Sequence, residues 1–115
     1  MEDLLGKGVR LFNSGHYWEA HEAWEQAWIP DRRGPDRGFW KGLIQVAAGC
    51  LHCTRHNRRG ALNKLRGGVA YLAPYLPAHR NIQLAPLVAA VEGLIAQVEH
   101  GEWPAELPQV ELLDS

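Results

Sequence analysis

Phe12-Asn13-Ser14-Gly15-His16-Tyr17-Trp18-Glu19-Ala20-His21-Glu22-Ala23-Trp24-Glu25-Gln26-Ala27-Trp28-Ile29 is the stretch whose reading decides the fold. Asn13-Ser14-Gly15 is a stop and a restart: glycine closes one helix and a polar residue caps the next. At about 100° per residue, Tyr17, Ala20, Trp24, Ala27 and Trp28 then fall on one helical face. His21 lies on that face beside Trp28, and Glu25 follows one turn later at its edge. Glu19, Glu22 and Gln26 point the other way, into solvent. An ionisable pair at the margin of an apolar face must be satisfied, because an unpaired buried charge is costly. The i, i+4 spacing makes a His21–Glu25 hydrogen bond available.

Helical periodicity continues on both sides of this stretch. It predicts a first helix over residues 3–12 and the second over 17–29. Pro30, Gly34 and Pro35 punctuate the loop that follows. A third helix is expected over 36–56, a turn at Asn57-Arg58-Arg59-Gly60, and a fourth helix over 61–73 ended by Pro74 and Pro77. A fifth is expected over 85–99, with Pro86 in its first turn. Sustained period-2 alternation is missing, so no strand is predicted. Short connections favour antiparallel neighbours. The expected fold is all-α, a compact bundle of four to five antiparallel helices over residues 1–103, with an irregular C-terminal tail over 104–115. Trp24, Trp28, Leu43, Val46, Leu65 and Leu72 are expected at its centre.

A chain of 115 residues suits one domain. An apolar share of 46% with five Trp provides for a core despite the small size. No apolar run approaches the roughly 18 residues that span a bilayer, which argues against a membrane protein. Met1-Glu2-Asp3 lacks the basic start and apolar block of a secretion signal, and two Cys are too few for a disulfide scaffold. The expected compartment is the cytoplasm.

The net charge of −1 conceals strong patterning. Residues 1–31 balance to −4, residues 32–66 to +8 and residues 67–115 to −5. A basic middle between acidic ends fits either an anionic ligand or helices that neutralise one another. Arg55, Arg58 and Arg59 are the anion-binding candidates of this segment. No nucleic-acid motif accompanies them and the whole chain is slightly acidic, which weighs against a nucleic-acid partner.

On the third helix, Phe39, Leu43, Val46, Cys50 and Thr54 form an apolar stripe, while Lys41, Gln45, His52 and His56 line another side. Gly42 and Gly49 lie two turns apart beside it. Each costs a helix about 1 kcal/mol relative to Ala, which calls for a packing reason. If the second helix lies in that groove, His21 and Glu25 meet Gln45 and His52.

The segment from Phe12 to Glu25, followed by Gly42-Leu43-Ile44-Gln45, His52 and Asn57 before Gly60-Ala61, resembles the ordered signature of a bacterial and archaeal family. That family is known only as a domain of unknown function, number three hundred and nine. The likeness covers residues 5–76. It implies an all-α bundle with recurring His21, Glu22, Glu25 and Gln45, and implies no reaction.

His21-Glu22-Ala23-Trp24-Glu25 departs from the HExxH zinc motif, since Glu holds the last place. Cys50 and Cys53 form a CxxC in mid-helix on the apolar side, where core packing is expected rather than a metal knuckle or redox pair. No metal or cofactor is assigned.

Three functions compete. The first is a binding or interaction module whose polar cluster of His21, Glu22, Glu25, Gln45 and His52 is partly buried. The second is a small metal-assisted hydrolase using His21, Glu25 and His52. The third is a nucleic-acid or nucleotide binder acting through residues 32–66. The first is favoured; the ligand or protein partner and the oligomeric state stay open.

Overall fold

Asp and Asn side chains cap the first turns of two of the described helices. The computed structural model describes residues 2–113. Helix α1 spans Leu4–Asn13, and the Asp3 carboxylate accepts from the Gly6 N–H at 2.7 Å. Gly15, at φ +83°, makes the left-handed step into α2, Tyr17–Trp28. A 3₁₀ turn, Ile29–Asp31, leads towards α3, Arg37–Thr54. Helix α4 spans Arg58–Leu72 and α5 spans Leu84–Glu99. The chief helix contacts are between successive helices, α1 with α2 through to α4 with α5. Among the described residues the fold is an all-α bundle of five helices, none of them long and apolar enough to cross a membrane.

Helix α4 starts three residues before the expected Ala61. Asn57 Oδ1 accepts from the Gly60 N–H at 3.0 Å, so Asn57 is the cap and the expected turn is the first turn of the helix. Between α4 and α5 the chain also forms strands that periodicity did not predict. Strand β1, Ala78–His79, pairs antiparallel with β2, Ile82–Gln83, which pairs with β3, Glu111–Leu112. Two residues are too few to display an alternating pattern. Arg80 and Asn81 between β1 and β2 both have positive φ, as a two-residue hairpin turn requires.

Strand β3 and the buried Val110 lie within the segment read as an irregular tail. Asn13 holds both backbone polar groups of Val110: Nδ2 donates to the carbonyl at 2.9 Å and Oδ1 accepts from the N–H at 2.8 Å.

Trp24, Leu43, Val46, Leu65 and Leu72 are shut away from solvent at the centre, as expected. Trp28 is not; it is partly buried at the margin. The buried face of α2 comprises Tyr17, Ala20, Ala23 and Trp24, so Ala23 takes the inward place and Trp28 swings to the side.

The glycines of α3 also differ from expectation. Their groove is filled by α4 rather than α2. A Cβ on Gly42 would collide with Leu72, one on Gly49 with Leu65, and one on Gly68 of α4 with Val46. The absent side chains let α3 and α4 interlock at three levels, which is the packing reason the sequence called for.

Candidate functional site

The expected polar cluster divides into two places because α4, not α2, covers the glycine side of α3. Gln45 stays near α2; His52 does not. His52 Nδ1 lies 3.2 Å from Asn57 Nδ2, and its ring packs where a Cβ of Gly60 would sit. It belongs to the α3–α4 turn. His21, Glu25 and His52 therefore do not converge: among the described residues, no group of three or more His, Cys, Asp or Glu side chains could hold a metal ion.

His21 Nδ1 sits 3.5 Å from Glu25 Oε2, as the i, i+4 spacing predicts. That is within reach for an ion pair but not a formed hydrogen bond, and Nδ1 is shielded from solvent without a partner. The imidazole stacks on the exposed Trp18, with ring centroids 5.4 Å apart and planes 7° from parallel. Glu22 is exposed and lines a shallow cleft of about 180 Å³ with Trp18, His21, Glu25 and Gln26.

Glu25 also borders a second cleft, of about 200 Å³, formed with Trp28, Lys41, Ile44, Gln45 and Lys64. Helices α2, α3 and α4 thus each contribute to one cavity. Trp28 supplies a flat apolar wall, and its indole N–H has no acceptor. Lys41 Nζ lies 5.3 Å from the centroid of the Trp28 ring and 5.7 Å from that of Tyr71, held by two aromatic faces. Neither Lys41 nor Lys64 has an ion-pair partner among the described residues. Gln45 fits against α4 only because Gly67 leaves room for its side-chain oxygen. The sequence brought Gln45 and Glu25 together; Trp28, Lys41 and Lys64 were missed as site residues. The signal was present in the placement of Lys41 with Gln45, and in Trp28 at the end of the α2 face.

The basic middle is partly neutralised by α5. Arg58 donates to the carbonyls of Val98 at 3.3 Å and Glu99 at 3.1 Å, and Arg66 pairs with the Glu99 carboxylate. A cation at a helix C-terminus also meets the negative end of its dipole. Of the three anion-binding candidates, Arg58 is thereby engaged in structure. Arg59 lines an open cleft with Arg58, Leu62, Asn63 and Arg66, and Arg55 is exposed near the end of α3.

Asp36 is a further polar centre that the sequence did not reveal. It accepts from His79 Nε2 at 2.9 Å and Arg80 Nε at 2.5 Å, tying the start of α3 to the hairpin. Burial pushes its carboxyl pKa up, but the hydrogen bonds from Arg80 and His79 outweigh that and hold it below the ordinary value of 3.8. A carboxyl depressed in the folded state stabilises the fold above its unfolded pKa, and that contribution is lost as pH falls through the folded value. Stability should therefore decline below about pH 3.8, and Asp36→Asn should flatten the decline. Urea melts across this acid range provide the measurement; an unchanged slope in the variant would dissociate Asp36 from the acid response.

Cys50 and Cys53 are free thiols in the core. Burial raises both pKa values, that of Cys53 to about 11 and that of Cys50 further. Thiolate is the reactive form. Both are expected to react slowly with a disulfide reagent in the native protein and rapidly once urea unfolds it. Fast native-state modification of either would contradict this placement.

The chain belongs to the family described as a domain of unknown function, DUF309, whose family model matches residues 5–63. That span holds α1, α2, α3 and the first turn of α4, and with them Glu25, Trp28, Lys41, Ile44 and Gln45. Among curated proteins, none matches the chain.

Proposed function

We propose that this member of the DUF309 family is a cytoplasmic binding module, and that the cleft between α2, α3 and α4 receives a small organic anion with a flat apolar body. One observation carries the reading: Lys41 and Lys64, both without a carboxylate partner among the described residues, border one cavity with the indole of Trp28 and with Ile44. The ammonium groups supply charge, the indole and Ile44 supply apolar contact, and the Gln45 amide can donate and accept. Glu25 also lines the cavity, where the two ammonium groups outnumber its single carboxylate. A volume of about 200 Å³ is below the usual range for drug-sized ligands, so the occupant is small or enters only in part.

Benzoate is a suitable probe. Titration followed by amide NMR should give saturable shifts around Trp28, Lys41 and Ile44. A charged hydrogen bond contributes about 1.5–3 kcal/mol, so replacing either lysine with Met should weaken binding about tenfold or more. The double variant Lys41→Met/Lys64→Met should stay folded and lose saturable shifts. Saturation unaffected in the double variant, or no saturable shift at this cleft in the wild type, would reject the reading.

A further inference from the structure

The cleft does not end at Lys41. Lys41 Nζ lies 5.7 Å from the centroid of Tyr71, and Tyr71 lines another cavity, of about 340 Å³. Arg33, Arg37 and Tyr75 also line that cavity. Tyr75 is fixed there, because its hydroxyl donates to the Pro35 carbonyl at 2.7 Å. Arg33 and Arg37, like Lys41, have no ion-pair partner among the described residues. Arg37, Lys41 and Gln45 are spaced i, i+4, i+8, so they follow one side of α3 over about 12 Å at 1.5 Å per residue. The cavity with guanidinium groups and the cavity with ammonium groups are thus neighbours, with Lys41 of one set against Tyr71 of the other.

We infer that the Arg33/Arg37 cavity is an oxyanion subsite, and that the ligand of the module is a phosphate monoester whose flat apolar body reaches past Lys41 to Trp28. Guanidinium groups offer paired donors that match phosphate oxygens, where an ammonium offers a point charge. The phosphoryl group therefore belongs with the arginines, and the apolar body with Trp28 and Ile44. The flat apolar body at Trp28 rests on the binding reading given above; the phosphate subsite stands on the separate cavity.

Inorganic phosphate and phenyl phosphate, titrated into the full chain and followed by amide NMR, test this. Inorganic phosphate should give saturable shifts confined to residues 33–38 and Tyr75. Arg33→Gln/Arg37→Gln should abolish them, while Lys41→Met/Lys64→Met leaves them in place. Phenyl phosphate should shift both cavities and bind at least tenfold more tightly than inorganic phosphate. Phosphate shifts that do not saturate, or that persist in the double arginine variant with an unchanged melting temperature, would overturn the subsite. Phenyl phosphate binding no tighter than phosphate would overturn the shared ligand. Benzoate shifts at Trp28 are read independently, so failure of the phosphate subsite is distinguishable from failure of the Lys41/Lys64 cleft.

Discussion

Trp24→Ala is expected to lower the stability of the chain by about 3–5 kcal/mol, the range for removing a large aromatic side chain from a packed core. Trp24 has no exposed surface, lies 5.8 Å from Phe12 ring to ring, and donates its indole N–H to the Leu5 carbonyl at 3.2 Å. The substitution therefore removes apolar contact together with that hydrogen bond. Gly8 of α1 lies under the indole, where an added Cβ would collide with it. Gly8→Ala should accordingly destabilise the wild type and be tolerated in the Trp24→Ala background. A double-mutant cycle in urea measures that coupling. A Trp24→Ala loss under about 1 kcal/mol would exclude a close-packed position for this side chain.

Gly68→Ala should also destabilise, by about 1–3 kcal/mol, although alanine is the better helix former by about 1 kcal/mol. The added Cβ would come to 2.7 Å of Val46 Cγ2, 3.2 Å of the Gly42 carbonyl oxygen and 3.3 Å of the Val46 nitrogen. Two of those three atoms are backbone, so the helices must move apart to admit it. Gly93 of α5 provides the opposite case, since nothing lies within 4 Å of its Cβ position. Gly93→Ala should stabilise by about 0.5–1 kcal/mol. Thermal melts of both variants separate packing from propensity: a stabilising Gly68→Ala would contradict the three-level interlock of α3 and α4.

The contrast between these glycines shows what a linear pattern can carry. Periodicity located all five helices and placed Trp24, Leu43, Val46, Leu65 and Leu72 inside, because each of those features is a property of one helix. It also indicated that Gly42 and Gly49 serve close packing. Which helix they receive depends on the three-dimensional path of the chain, and the choice of α4 removed His52 from the neighbourhood of Glu25. Trp28 was taken as core by helical phase, yet α2 turns Ala23 inward and leaves Trp28 as a cavity wall. Lys64 joins that cavity from α4, and no spacing within α2 or α3 could announce it. Asp36, His79 and Arg80 are 43 and 44 residues apart in the chain, so their association is invisible to any local window.

The clasp between Asn13 and Val110 joins positions 97 residues apart, whereas the helices pack chiefly on their sequence neighbours. Mostly local contacts favour rapid folding, and the entropic cost of closing a long loop rises with its length. The bundle can therefore assemble pair by pair along the chain, while the clasp gains nothing until both of its sides are already in place. Its formation is expected at the end of the folding route, and its release as a local opening ahead of global unfolding. Amide hydrogen exchange at Val110 would report that early release, on a scale separate from the global unfolding that exposes the interior of α3.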